Sequence, residues 1–298
     1  MSDLTTAAPT GPDLPEARRR ALRAHLMAEL HTPARRHRMM IALPVAGVLA
    51  AVTAAGMIAG PWDDGVRPIP TTQILAGDHA AAVVFLDRLA LSAGARENGP
   101  TDGRYLYVKS RVAWMRFTEL DDGKLDELHQ REVWLPLFAG GRGLLKEPDR
   151  PSDLGVFTAE RLQQDLPDEP GALLKWIYKS SQGQGNTPDG QAFSVIGDLL
   201  RESMLPARTN AALYQAAAKI PGVELVEDSV DAVGRHGIAV AHVELGERRE
   251  WIFDEKTGEY LGERSYLVED RPWGRAGMIT ATTAVTERAV VTRLGARP

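Results

Sequence analysis

His236 and His242 stand six residues apart in a β-forming run, HGIAVAHVEL. An unbroken strand turns every second side chain to the same face, so both imidazoles would share one side of a sheet. That placement could begin a metal site. No third histidine or carboxylate completes a recognisable ligand spacing, however, and solvated or packed histidines are the expectation. His79 and Asp87 fall on one predicted helix, two turns apart, too far for a direct acid–base pair. No serine sits in G-x-S-x-G or S-x-x-K, so the serine-hydrolase signatures are missing. Gly140-Gly141-Arg142-Gly143 has neither phosphate-loop nor dinucleotide spacing and reads as a loop. Asp121-Asp122 and the Asp254–Gly258 segment read as turn chemistry rather than paired catalytic acids. Trp114, Trp134, Trp176, Trp251 and Trp273 are scattered and are expected in a core, although a sheet lined with large apolar groups could form a concave apolar pocket. No catalytic, cofactor-binding or metal-ligating residue is therefore assigned, and the expectation is a protein that is not an enzyme and carries no cofactor.

Composition sets the frame for these residues. The chain has 298 residues, 44% apolar and 25% charged, ordinary values for a folded protein. A net charge of -5 gives no reason to expect nucleic acid. Cysteine is absent, which excludes disulfides, thiolate metal sites, a cysteine nucleophile and a lipidated cysteine.

One stretch departs from the rest. Between Arg38 and Asp63 no charged side chain occurs. Residues 39–60 would form a helix of roughly 33 Å, against about 30 Å of bilayer hydrocarbon. A buried core helix and a cleaved signal ending near Thr53-Ala54-Ala55 are the rivals. The apolar character is continuous, and a charged leader of nearly 40 residues is long for a secretory signal. The anchor reading is preferred. Arg35, Arg36 and Arg38 precede the span while Asp63 and Asp64 follow it, so the N-terminus is expected in the cytoplasm and the C-terminus outside the cell membrane.

Four segments follow from this. Residues 1–38 form a leader in which Leu22, Leu26 and Leu30 make an apolar stripe beside Arg18, Arg19, Arg20 and Arg23, a short solvated helix or a contact for anionic lipid or a cytosolic partner. Residues 39–60 form the membrane helix and 61–72 a proline-punctuated linker. Residues 73–298 form the extracytoplasmic domain. Within it, 74–92 is helical with Gly94 as a stop. Strand signals run through Tyr105–Met115 and Glu132–Phe138, and loops are expected at 140–143 and 148–151. Helices are expected over 159–166, 172–178, 192–202 and 209–220, with 181–191 a flexible interruption. From Gly222 strands return through VELVED, GIAVAHVEL, EWIF, EYLGERSYLV and MITATTAVTERAVV. Asp254–Gly258 closes a tight hairpin between Trp251–Phe253 and Tyr260–Leu261. The fold class is α+β: an antiparallel sheet with helices packed on one face.

Leu199, Leu200, Ser203, Pro206, Arg208, Ala212, Leu213, Tyr214, Pro221, Gly222, Val223, Asp231, Gly234, Arg235 and Gly237 form a run that resembles a family of uncharacterised actinobacterial single-pass membrane proteins. Their genes are often found beside those of sigma factors. The resemblance spans residues 14–298 and is strongest over 193–262. It implies the topology above and a regulatory context, and it brings no catalytic residues. The partners it leads one to expect are the lipid bilayer and a cytosolic regulator such as a sigma factor. The function expected is binding or sensing outside the cell. The alternative is an envelope carrier or chaperone that holds an apolar ligand or a lipoprotein in a concave sheet.

Overall fold

A computed structural model describes residues 77–95, 103–116, 123–138, 141–148, 153–156, 166–183 and 187–298. The chain divides near residue 58 into two units, and every described residue lies in the second, 59–298. The leader, the membrane helix and the linker, the Asp121-Asp122 turn and the helix expected from residue 159 fall outside the described residues. Among the described residues no helix is long and apolar enough to cross a membrane.

Fourteen elements are described in chain order: α1 (His79–Gly94), β1 (Tyr105–Arg116), β2 (Lys124–Leu125), β3 (His129–Pro136), β4 (Arg142–Lys146) and β5 (Asp153–Val156). Then come α2 (Pro170–Ser180), α3 (Pro188–Glu202), α4 (Ala207–Ala217), β6 (Val223–Val230), β7 (His236–Glu244), β8 (Glu247–Phe253), β9 (Tyr260–Leu267) and β10 (Ile279–Val291). The strands form one antiparallel sheet in the order β5-β4-β3-β1-β10-β9-β8-β7-β6, with β2 paired only to β1. The expected α+β architecture, an antiparallel sheet with helices, is what the chain adopts.

Local chemistry explains the helix starts. Asp78 accepts from the Ala81 amide at 3.1 Å to begin α1. Glu169 accepts from Gly171 and Ala172 ahead of Pro170, and Thr187 from Gly190 ahead of Pro188. A side-chain acceptor followed by proline at the first helical position satisfies amides that would otherwise lack a partner. The helix expected from residue 74 thus begins at its cap, Asp78, and ends at Gly94 as read.

The main core joins these helices to one face of the sheet. Phe85, Leu86 and Leu89 of α1, Phe193 and Ile196 of α3, and Leu213 of α4 pack with Leu106, Val108, Val133, Val240, Trp251 and Phe253. The opposite face carries smaller clusters. Tyr107, Trp134 and Val291 form one, covered by the C-terminal tail, whose Ala296 carbonyl accepts from Trp134 Nε1 and whose Arg297 pairs with Glu132.

The strand signals over Tyr105–Met115 form one continuous strand, Tyr105–Arg116. One expectation is corrected. The glycine loop expected over 140–143 gives way at Arg142 to β4, which pairs with β3 through Val133↔Leu145. Glycines there weaken the strand signal, and a long-range partner overrides it.

The β8–β9 hairpin is as read. Asp254 accepts from the Lys256 and Thr257 amides, and Gly258 sits at φ +67° with its amide on the Asp254 carbonyl at 2.9 Å. A Cβ at Gly258 would also lie 2.7 Å from Leu89 of α1. Gly258→Val should therefore destabilise the domain by roughly 1 kcal/mol or more. Chemical denaturation of wild type and variant checks this, and an unchanged midpoint would contradict it.

Candidate functional site

Strand β8 carries the site's foundation on both of its faces. On the helix side, Trp251 is fully buried and stacks on Phe193 of α3, ring centroids 3.7 Å apart and 8° from parallel. Contact this close requires a small residue one turn along, and α3 supplies Gly197. A Cβ there would lie 2.6 Å from Glu263 Oε1 and 2.7 Å from Trp251 Nε1.

Glu263 of β9 sits beneath α3, only 8% exposed. Tyr260 donates its hydroxyl to Glu263 at 2.9 Å, and Arg201 of α3 pairs with it at 3.3 Å. Arg201 also reaches Glu202, which Arg131 of β3 holds at 2.6 Å. Buried charges persist only when paired and hydrogen-bonded, and this chain of groups ties α3 to both wings of the sheet. Burial first, then the Glu263 charge, push the Tyr260 phenol well above its ordinary pKa.

On the other face Glu250 is wholly buried. It accepts from Ser229 Oγ at 2.7 Å, Tyr266 Oη at 2.8 Å and Arg264 Nη2 at 2.9 Å, with Arg248 at 3.3 Å. Ser229 reaches Glu250 because the end of the β6–β7 hairpin folds over the sheet. Asp231 there accepts from the Val233 and Arg235 amides, and Arg235 stretches on to the Leu261 and Val285 carbonyls. Gly237 has no room for a Cβ, which would lie 2.2 Å from the Phe253 carbonyl oxygen.

Above the Tyr260–Glu263 pair the helix side opens into a cleft of about 450 Å³. The end of α3 contributes Leu199, Leu200 and Ser203, and α4 contributes Asn210 and Tyr214. The β8–β9 turn brings Thr257 and Glu259, and β10 brings Arg288. Ser203 spends its hydroxyl on the Leu199 carbonyl and Arg288 its Nη2 on the Leu200 and Arg201 carbonyls. Both complete the last turn of α3, whose final carbonyls lack helical partners. What remains is a mixed wall of hydrogen-bonding and apolar groups.

Of the residues singled out by sequence, Thr257 and Gly258 of the β8–β9 turn line this cleft, while the histidines do not. His236 is exposed and contacts Asp228 at 2.7 Å, while His242 is buried against Phe193. Strand parity alone does not make them neighbours in environment. Burial holds the His242 imidazole below its ordinary pKa, so it is neutral near pH 7. His79 bonds the Val223 carbonyl at 2.6 Å. Among the described residues no group of three histidines, aspartates or glutamates could hold a metal ion. Trp134 and Trp251 are fully buried core residues. Trp273 instead lines a smaller cavity of about 100 Å³ with Ser194, His242 and Arg249. The cleft as a whole escaped sequence reading, because its contributors, from Ala93 to Arg288, are brought together only by tertiary packing.

The chain matches no known protein family and no curated protein.

Burial alone would raise the Glu202 carboxyl, but Arg131 and then Arg201 outweigh it and hold its pKa below the ordinary value. A carboxylate depressed on folding stabilises the native state above its unfolded pKa of about 4.3 and loses that contribution as pH falls below it. Urea unfolding at a series of pH values should show wild type losing stability below about pH 4.3. Glu202→Gln should be less stable at pH 7 and show a shallower acid decline. Parallel declines in the two proteins would contradict this assignment.

Proposed function

We propose that the chain is a membrane-anchored binding or sensing protein whose extracytoplasmic domain takes a small ligand in the cleft bounded by α3, α4, the β8–β9 turn and β10. The cleft carries this reading. Its volume of about 450 Å³ falls within the range of small-molecule sites, roughly 300–1,000 Å³. Its walls combine the apolar Leu199 and Leu205 with the polar Asn210 and Arg288. In this reading residues 39–60 span the bilayer, with residues 1–38 in the cytoplasm.

A second feature bears on how the anchor would meet the domain. Where the described chain begins, it is fastened to β6 at once: the Gly77 amide bonds Glu224, Asp78 bridges Leu225 and His79 bonds the Val223 carbonyl. Glu224 pairs with Arg248, and Arg248 with Glu250. These pairs tie the segment that leads to the anchor into the buried polar cluster on the sheet face opposite the cleft. The arginine-rich leader and the family resemblance support a cytosolic regulator, such as a sigma factor, as the recipient.

A carrier of an apolar ligand is the second reading. It rests on an apolar groove of about 440 Å³ lined by Ala80, Val84, Phe85, Leu225 and Ile238, where Val84 is 71% exposed.

Two experiments on the full-length protein in cells test these readings. Protease added to intact cells should remove a C-terminal tag and spare an N-terminal one; a mature protein beginning near Gly56 would overturn the anchor. Met204→Trp, which fills the cleft from its rim, should abolish the reporter output of a neighbouring sigma factor while protein level stays unchanged. Loss with Val84→Glu and none with Met204→Trp would instead favour the carrier.

A further inference from the structure

Two opposite charges line the cleft, near enough for Glu259 to act on the Arg288 charge but not joined by a hydrogen bond or ion pair. Arg288 commits its Nη2 to the Leu200 and Arg201 carbonyls, at 2.7 Å each. Its Nε and Nη1 have no partner among the described residues. Glu259 is held in place by its backbone, whose carbonyl accepts from the Asp254 amide at 2.8 Å and whose amide donates to Thr257 Oγ1 at 3.2 Å. Its carboxylate makes no ion pair or hydrogen bond with a described residue, and Arg288 lies in the wall of the same cleft. The Asn210 amide is also without a side-chain partner there. Between these groups lie Leu199, Leu205 and Ala93. A fixed cation, a fixed anion and an apolar wall in one concavity set a demand on the ligand: a group of single charge would leave the opposite protein charge uncompensated on desolvation.

We propose that the cleft binds a small zwitterion with an apolar side group, the chemistry of a free apolar amino acid or a short apolar peptide. The ligand carboxylate pairs with the remaining N–H groups of Arg288. Its ammonium pairs with Glu259, Asn210 bonds whichever polar group lies within reach, and the apolar group rests on Leu199 and Leu205. This inference rests on the reading of the cleft as a ligand site.

The test is calorimetric titration of the full-length protein in nanodiscs with four probes: leucine, leucyl-leucine, 4-methylpentanoate, which lacks the ammonium, and 3-methylbutylamine, which lacks the carboxylate. Leucine or leucyl-leucine should bind, and whichever is tighter identifies the free amino acid or the peptide as the source. Both single-charge probes should bind at least tenfold more weakly. Glu259→Gln and Arg288→Gln should each weaken the zwitterion at least tenfold. Arg288 also caps α3, so the decisive variant is Glu259→Gln, at an exposed position whose backbone holds the turn. Equal binding of a single-charge probe, an unchanged affinity in Glu259→Gln, or no binding of any probe would each overturn the zwitterion assignment. The Met204→Trp result in cells separately decides whether the cleft is a ligand site at all.

Discussion

The approach of α3 to strand β8 is the constraint on which the rest of the domain depends. Phe193 stacks on Trp251 at 3.7 Å, and the helix can come this near only because residue 197 is glycine. A single methyl there would meet both Trp251 Nε1 and Glu263 Oε1 within 2.7 Å. The close approach has a cost, since Trp251 Nε1 is buried without a hydrogen-bond partner among the described residues, a loss of roughly 1–3 kcal/mol. Stacking and the burial of two large rings offset it. The seat of α3 also fixes where the helix ends, and hence where Leu199, Leu200 and Ser203 stand in the cleft wall.

Strand β8 presents consecutive residues to opposite faces, so Trp251 and Glu250 anchor two different structures from one short segment. Trp251 holds the helix layer, while Glu250 gathers Ser229, Arg264, Tyr266 and Arg248 beneath the folded end of the β6–β7 hairpin. A fully buried carboxylate is tolerable only with its acceptor capacity used, and hydrogen bonds from Ser229, Tyr266 and Arg264 use it, with the Arg248 charge alongside. The result is a sheet stiffened on both sides next to its open concavity.

Much of this was legible in the sequence, for identifiable reasons. The Asp254–Gly258 turn announced itself because its chemistry is local: an aspartate that accepts from amides two and three residues on, and a glycine at positive φ. The run from Leu199 to Gly237 also has local physical content. Gly222 and Gly234 sit at φ +76° and +85°, Ser203 closes α3, and Asp231 organises the turn that Arg235 pins to β9 and β10. Arg208 is the exception: it is exposed and only 3.7 Å from Asp168, and nothing in the structure explains its place in the run. Less was legible where partners are remote. Strand β4 was masked by glycines and is defined by its pairing to β3. His236 and His242 share strand parity yet differ in burial, because α3 covers one end of β7 only. The cleft draws on residues from Ala93 to Arg288, a span that no local pattern encodes.

The most direct measurement is a structure of the full-length protein purified from its native membrane with whatever it carries. A small molecule is expected in the cleft, with a carboxylate against Arg288 and an apolar group on Leu199 and Leu205. An empty cleft, with density instead along the apolar groove at Val84, would contradict it.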